Sequence, residues 1–144
     1  MSKRKVLDII NATAEEQMKI GALATVAEGA PRARYMGALV GDDLTVRMAA
    51  FSGSDKIAQI EAEPRVEIVF HKEGGMGQAR VRGRATIVAD PGAKKRFWDD
   101  APVIKEYFKG PDDPDYALVE VKPELVLYHG EGEHEARTWR PGEE

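Results

Sequence analysis

Cysteine is absent from this chain. Its absence removes a disulfide framework, a thiolate nucleophile and a zinc–thiolate site together, and is compatible with a reducing cytoplasm. Histidine is scarce: His71, His129 and His134 are the three present. None pairs with another at a helical metal-ligand spacing, and zinc needs more ligands. Each reads as a strand-end or tail residue. No apolar run approaches the roughly 20 residues of a membrane span. After Met1-Ser2-Lys3-Arg4-Lys5, the apolar Val6, Leu7, Ile9 and Ile10 are interrupted by Asp8 and Asn11. That pattern lacks the unbroken apolar core of a signal peptide, so a soluble cytoplasmic protein is expected. Charge of one sign is also missing. Lysine and arginine number 21 against 25 acidic residues, a net charge of -4. The balance gives no support for a nucleic-acid or membrane-surface partner. Familiar catalytic patterns are missing too. Gly74-Gly75-Met76-Gly77 lacks the lysine of a phosphate-binding P-loop, Ser52 and Ser54 are not set in a nucleophile elbow, and Glu61 and Glu63 read as helix surface charge.

What is present is apolar material for one core. At 144 residues and 42% hydrophobic, the chain fits a single domain, 1–144. Leu7, Ile10, Ala14 and Met18 recur at helical spacing and predict a helix over 3–18 within an N-terminal segment 1–20. Short strands follow: 22–27, then 32–40 after the turn residues Glu28-Gly29-Ala30-Pro31, then a strand in which Leu44, Val46 and Met48 alternate with Thr45 and Arg47. Ser54 to Glu63 reads as a helix capped by Ser54 and closed by Pro64. Val66, Ile68 and Phe70 mark one strand face. The segment 78–89 is a long strand with Arg80, Arg82 and Arg84 on one side. Asp90 is the expected cap of a helical region that breaks near Pro102 and runs to about Phe108. Tyr116–Val121 and Leu125–His129 read as two last strands joined through Lys122-Pro123-Glu124. The polar tail 131–144 is expected to be flexible. Mostly antiparallel β with about three helices allows a barrel, which has no free edges, or a sandwich; pattern alone leaves both open.

Three polar features interrupt this apolar plan. Arg34 lies in a strand of small and apolar residues. Ser54 and Lys56 stand at a helix start, where unpaired backbone amides and the helix dipole favour an anion. Gln78 opens a long strand after a glycine-rich connection. Taken locally, each also fits a plain surface role: a solvated or carboxylate-paired arginine, a capped helix with a free lysine. Asp55 opposes a phosphate at that helix. One like-charge contact at about 4 Å costs roughly 4 kcal/mol at an effective dielectric near 20, and much less when the carboxylate faces water. The Arg80, Arg82, Arg84 stripe reads as a solvated face paired with neighbouring carboxylates.

The order and spacing of several short segments carry a resemblance. They are Leu23-Ala24-Thr25-Val26, Arg34-Tyr35-Met36-Gly37, Ser54-Asp55-Lys56-Ile57, Glu63-Pro64-Arg65-Val66, Arg82-Gly83-Arg84-Ala85 and Pro111-Asp112-Asp113-Pro114-Asp115. Lys56 stands 22 positions after Arg34, and Gln78 a further 22. Over residues 8–129 the chain resembles the pyridoxamine 5'-phosphate oxidase-like flavoproteins, in particular the general stress protein 26-like branch. The resemblance implies a mainly β fold, a split β-barrel of the FMN-binding type with peripheral helices, and a homodimer with flavin at its interface. It assigns Arg34, Ser54 and Lys56 to the FMN phosphate and ribityl chain, and backbone groups of Tyr35, Met36, Ala49 and Ala50 to the isoalloxazine ring. Gln78 is expected near the ring. Trp98 is expected either to close the site across the dimer or to anchor a helix on the barrel. Relatives of this fold use F420 or haem instead. Ala50 and Asp55 depart from the family pattern, which has a hydroxyl residue and a second basic residue there. The chain also lacks the basic and aromatic C-terminal segment of the oxidase, so pyridoxamine phosphate is not the expected substrate. The substrate is not legible.

Overall fold

A computed structural model describes residues 2–10 and 18–144. Helix α1 is described over Ser2–Ile10; positions 11–17 of the predicted 3–18 helix lie outside the described residues, and Met18 directly precedes strand β1, Lys19–Ala27. Nine residues are too few for a stable isolated helix. Packing holds α1 in place, with Val6, Leu7, Ile9 and Ile10 buried in the same cluster as the barrel interior.

Strand β2, Ala30–Val40, returns along β1 in an unbroken register from Ala27↔Ala30 to Lys19↔Ala38. Glu28 and Gly29 turn the chain with φ of 54° and 75°, the positive values that a two-residue hairpin requires. Strand β3 is Val46–Phe51, helix α2 Asp55–Ala62, strand β4 Arg65–His71 and strand β5 Gln78–Val88. Helix α3, Pro91–Asp100, follows, capped as expected by the Asp90 carboxylate, which accepts from the Ala93 amide at 2.8 Å. The break falls at Ala101, and a 3-10 helix, Pro102–Glu106, carries the chain towards Phe108.

The two last strands predicted at 116–121 and 125–129 form one strand, β6, Tyr116–His129. Lys122-Pro123 does not break it because a register shift between Arg82 and Gly83 sets Pro123 opposite Gly83. Proline, which has no amide proton, is tolerated at such an irregularity. Only glycine fits on the facing strand: a Cβ at Gly83 would lie 2.2 Å from the Lys122 carbonyl oxygen. The tail also departs from expectation. Arg137–Trp139 forms strand β7 on the edge of β6, with Trp139 only 3% exposed. Burying that indole and donating its N–H to the Glu143 carbonyl outweigh the polar character of the surrounding residues.

The sheet order is β3-β2-β1-β4-β5-β6-β7, and β3 also pairs with β6. Six antiparallel strands therefore close a barrel, and β7 is appended outside it. Leu23, Met48, Ile68, Phe70, Val81 and Val121 fill the interior. A second apolar cluster lies outside the barrel, where Phe97, Trp98 and Ile104 pack on Leu39, Tyr116 and Leu118. Full burial of each such side chain contributes roughly 1.5–3 kcal/mol. Burial pushes the Tyr116 phenol up to about 12, and its hydroxyl donates to the Lys94 carbonyl at 3.0 Å. No helix among the described residues is long and apolar enough to cross a membrane.

Candidate functional site

The barrel is incompletely sealed between β2 and β3. Their register covers only Leu39↔Arg47 and Val40↔Val46. Below that point β2 continues on β1 alone, and β3 runs on β6 alone from Met48↔Val119 to Phe51↔Tyr116. Two strand edges face one another unpaired across a split, each with backbone donors and acceptors to offer.

A pocket of about 490 Å³ occupies this split. Strand β2 lines it with Tyr35, Met36 and Gly37, β3 with Ala49, Ala50 and Phe51, and β1 with Ile20. Lys56, in the first turn of α2, supplies the one formal charge among the described lining residues. Val103, Ile104, Tyr107 and Phe108 form the far wall. Aromatic contacts brace that wall: Phe51 and Phe108 have ring centroids 4.8 Å apart, Phe108 and Tyr116 5.3 Å, and Trp98 and Tyr116 6.2 Å. Of seven large hydrophobic side chains that stand exposed among the described residues, five line this one pocket: Ile20, Tyr35, Phe51, Val103 and Tyr107. Exposed apolar side chains on a protein surface are ordinarily scattered singly.

Polar groups without partners flank the apolar slot. Ser54 holds the N-cap position of α2 with extended backbone, yet its side chain makes no capping hydrogen bond. Its Oγ is buried and unpartnered, so the predicted hydroxyl cap is corrected: the hydroxyl is withheld from the helix. A buried hydroxyl left without a partner costs about 1–3 kcal/mol, which a ligand oxygen would offset. Lys56 forms no ion pair among the described residues, and Asp55 beside it is exposed. The Asp55 carboxylate faces water, where its repulsion of an anion is screened.

Arg34 is half-buried and points to the same inner side of the sheet as Leu23, its cross-strand partner. Its guanidinium donates to Thr25 Oγ1 at 2.8 Å, Gln59 Oε1 at 2.7 Å and the Leu23 carbonyl at 3.3 Å. Burial lowers its pKa. Arg34 and Ser54 do not line the pocket themselves; α2 connects them to it, bearing Ser54 at its cap, Lys56 in its first turn and Gln59 against Arg34.

The pocket thus gathers Tyr35, Met36, Ala49, Ala50 and Lys56. It does not gather Gln78 or Trp98. Gln78 opens β5 between His71 on β4 and His129 on β6. Trp98 is 9% exposed in the outer cluster, two ring contacts removed from Phe108 of the far wall. Sequence reading missed Thr25 and Gln59. Their only signal was polarity at positions whose neighbours are apolar or helical. It also missed the wall from Val103 to Phe108. No cluster of three or more potential metal ligands occurs among the described residues.

A closed six-stranded antiparallel barrel, split between two strands and flanked by helices, defines the class of split-barrel proteins related to pyridoxamine 5'-phosphate oxidase. The family described as pyridoxamine 5'-phosphate oxidase matches residues 9–130, and the chain belongs to it. General stress protein 26 of Bacillus subtilis (strain 168) is 33% identical over 134 residues, covering 91% of this chain and 90% of that protein. The crystal structure of General Stress Protein 26 from Bacillus anthracis superposes with a TM-score of 0.78 at 26% identity, over 96% of this chain and 98% of that one. Two solved structures at 18% identity share the fold. One is a pyridoxamine 5'-phosphate oxidase-related, FMN-binding protein from Nostoc punctiforme (TM-score 0.68; 96% and 94% of the two chains). The other is a heme binding protein from Mycobacterium smegmatis (TM-score 0.75; 98% and 58%).

Proposed function

We infer that this chain binds FMN in the split between β2 and β3 and is an oxidoreductase of its family, assembled as a homodimer across that face. The observation that carries the reading is a set of groups near an apolar slot whose charge or hydrogen bonding is unmet among the described residues: Arg34 and Lys56 without a carboxylate, and the buried Ser54 Oγ without a partner. A phosphate suits the two cations and the hydroxyl, while the flat apolar lining suits a ring system. The unpaired edges at Met36 and Ala49–Ala50 suit the polar rim of that ring. FMN, when bound, supplies hydride and single-electron chemistry. The protein's part is to bind and orient it: Lys56 and Arg34 offer charge, Ser54 a hydroxyl, and Tyr35, Phe51 and Tyr107 exclude water. The five exposed apolar side chains around the slot support burial against a second copy, from which Gln78 would approach. A cytoplasmic location remains part of this proposal.

A second reading is a cofactor-holding module without turnover, or one that takes F420 or haem. The haem-binding neighbour shares the fold alone, and Ala50 removes a hydroxyl that the family usually has. Both readings meet in one experiment. The absorbance spectrum of the purified chain is recorded before and after FMN is added and the sample desalted. Retained flavin bands at about one per chain, bleached by NADH or NADPH and restored by an acceptor, are expected. Flavin that is retained but never reduced favours the module. A Soret band, or refusal of FMN, overturns the flavin reading.

A further inference from the structure

Three acceptors bracket the Arg34 guanidinium. Nη1 donates to the Leu23 carbonyl and to Thr25 Oγ1, and Nη2 donates to Gln59 Oε1. The Thr25 hydroxyl donates in turn to Gln59 Oε1 at 2.7 Å. Three side chains from β1, β2 and α2 therefore close one hydrogen-bonded ring, with Thr25 itself 1% exposed. Every acceptor in the ring is neutral, and Arg34 takes part in no ion pair among the described residues. The charge is partly desolvated and uncompensated, and desolvation lowers its pKa.

A guanidinium has five N–H donors. The ring and the Leu23 carbonyl use three, leaving Nε–H and one Nη2–H. Those two share one edge of the plane, the edge that grips two oxygens of a phosphate or carboxylate side by side. Thr25 and Gln59 thus occupy the other edge and remove the rotamer freedom of a long side chain before any ligand arrives. Rigidity gained in advance is affinity that binding need not give up.

We propose that Thr25 and Gln59 are positioning residues that preset the free edge of Arg34 for the phosphate of the bound ligand. The proposal rests on the flavin reading above. It predicts discrimination by phosphate: the ring matters for FMN and not for riboflavin, which has the same isoalloxazine and ribityl parts without the phosphate.

The test titrates FMN and riboflavin by flavin fluorescence against wild type, Gln59→Leu, Thr25→Val and Gln59→Glu, alongside thermal unfolding without ligand. Gln59→Leu and Thr25→Val are expected to weaken FMN about tenfold, the loss of roughly one hydrogen bond's worth of positioning, and to leave riboflavin within about twofold. Gln59→Glu places a carboxylate on Arg34. It is expected to keep or raise the melting temperature and still to weaken FMN, an outcome that a purely structural role for Gln59 does not produce. Parallel loss of FMN and riboflavin affinity, or unchanged FMN affinity in all three variants, overturns the proposal. If wild type binds neither flavin, the flavin reading fails by itself. Inorganic phosphate then decides: it should raise the melting temperature of wild type and not of Gln59→Leu, and equal shifts or none overturn the preset arginine.

Discussion

Arginine serves two regions of this barrel in opposite ways. On the outer face of β5, each arginine meets a carboxylate: Arg82 lies 3.1 Å from Glu67, Arg84 3.9 Å from Glu124, and Arg80 4.0 Å from Glu67. Arg65, on the neighbouring strand, is held by Glu63. Beside α2, Arg34 and Lys56 meet no carboxylate among the described residues. The first region is a solvated surface whose charges are balanced within the chain. The second carries cations, and a buried hydroxyl, that no described residue of the chain balances. The contrast separates surface chemistry from site chemistry better than residue type does, since the two regions use the same side chains.

Substitutions on the two sides sharpen the contrast. The largest effect is expected at Arg34. Arg34→Met removes charge-assisted bonds worth about 1.5–3 kcal/mol each, so FMN affinity should fall about 100-fold while riboflavin affinity holds; flavin fluorescence titration reads both. Lys56→Met should weaken FMN by about tenfold in the same assay, with the loss shrinking at high salt because a partly exposed lysine charge is screened. Asp55→Asn should tighten FMN only about two- to threefold at low salt, with no gain in 0.5 M salt, about the Debye-screened limit. Arg82→Met, on the balanced face, should leave FMN affinity unchanged and shift stability by no more than about 1 kcal/mol, the range for exposed pairs, as read by urea denaturation. A comparable loss of FMN affinity in Arg82→Met would erase the distinction between the two regions.

The smallest effect is expected from acid. Glu133 accepts from Lys5, from the Gly130 amide and from Arg137, and these bonds hold its carboxyl down at about 2. A carboxyl whose folded pKa is depressed contributes stability above its unfolded value and loses that contribution as pH falls through the folded one. The tie between α1 and the tail should therefore weaken between the ordinary glutamate range, about 4.3, and about 2. Tryptophan fluorescence of Trp139 on acid titration checks this, and Glu133→Gln should remove the transition.

Several elements were legible because their signals are local. Alternating apolar residues marked β4 and β5, and Asp90-Pro91 marked the start of α3. Ser54 was legible as a helix start and misread as its cap, because capping depends on where the hydroxyl rotates. The tail was misread because Trp139 is one apolar residue among polar ones, and its burial depends on an edge of β6 that local pattern does not display. Lys122-Pro123-Glu124 looked like a turn because the register shift that tolerates Pro123 lies on another strand. Thr25 and Gln59 were invisible for the same reason: their meaning comes from Arg34, which stands 9 and 25 positions away.

By itself the sequence determined the chemistry on offer: no thiol, three histidines at no helical metal-ligand spacing, enough short strands for a barrel or a sandwich, and a cation at one helix start. Those follow from composition and short-range periodicity, which need no partner to be read. The tertiary structure alone decided which cations are balanced, where β2 and β3 part, and which polar atoms are left without partners. These are matters of distance between residues far apart in the chain, and electrostatic balance depends on distance rather than on order.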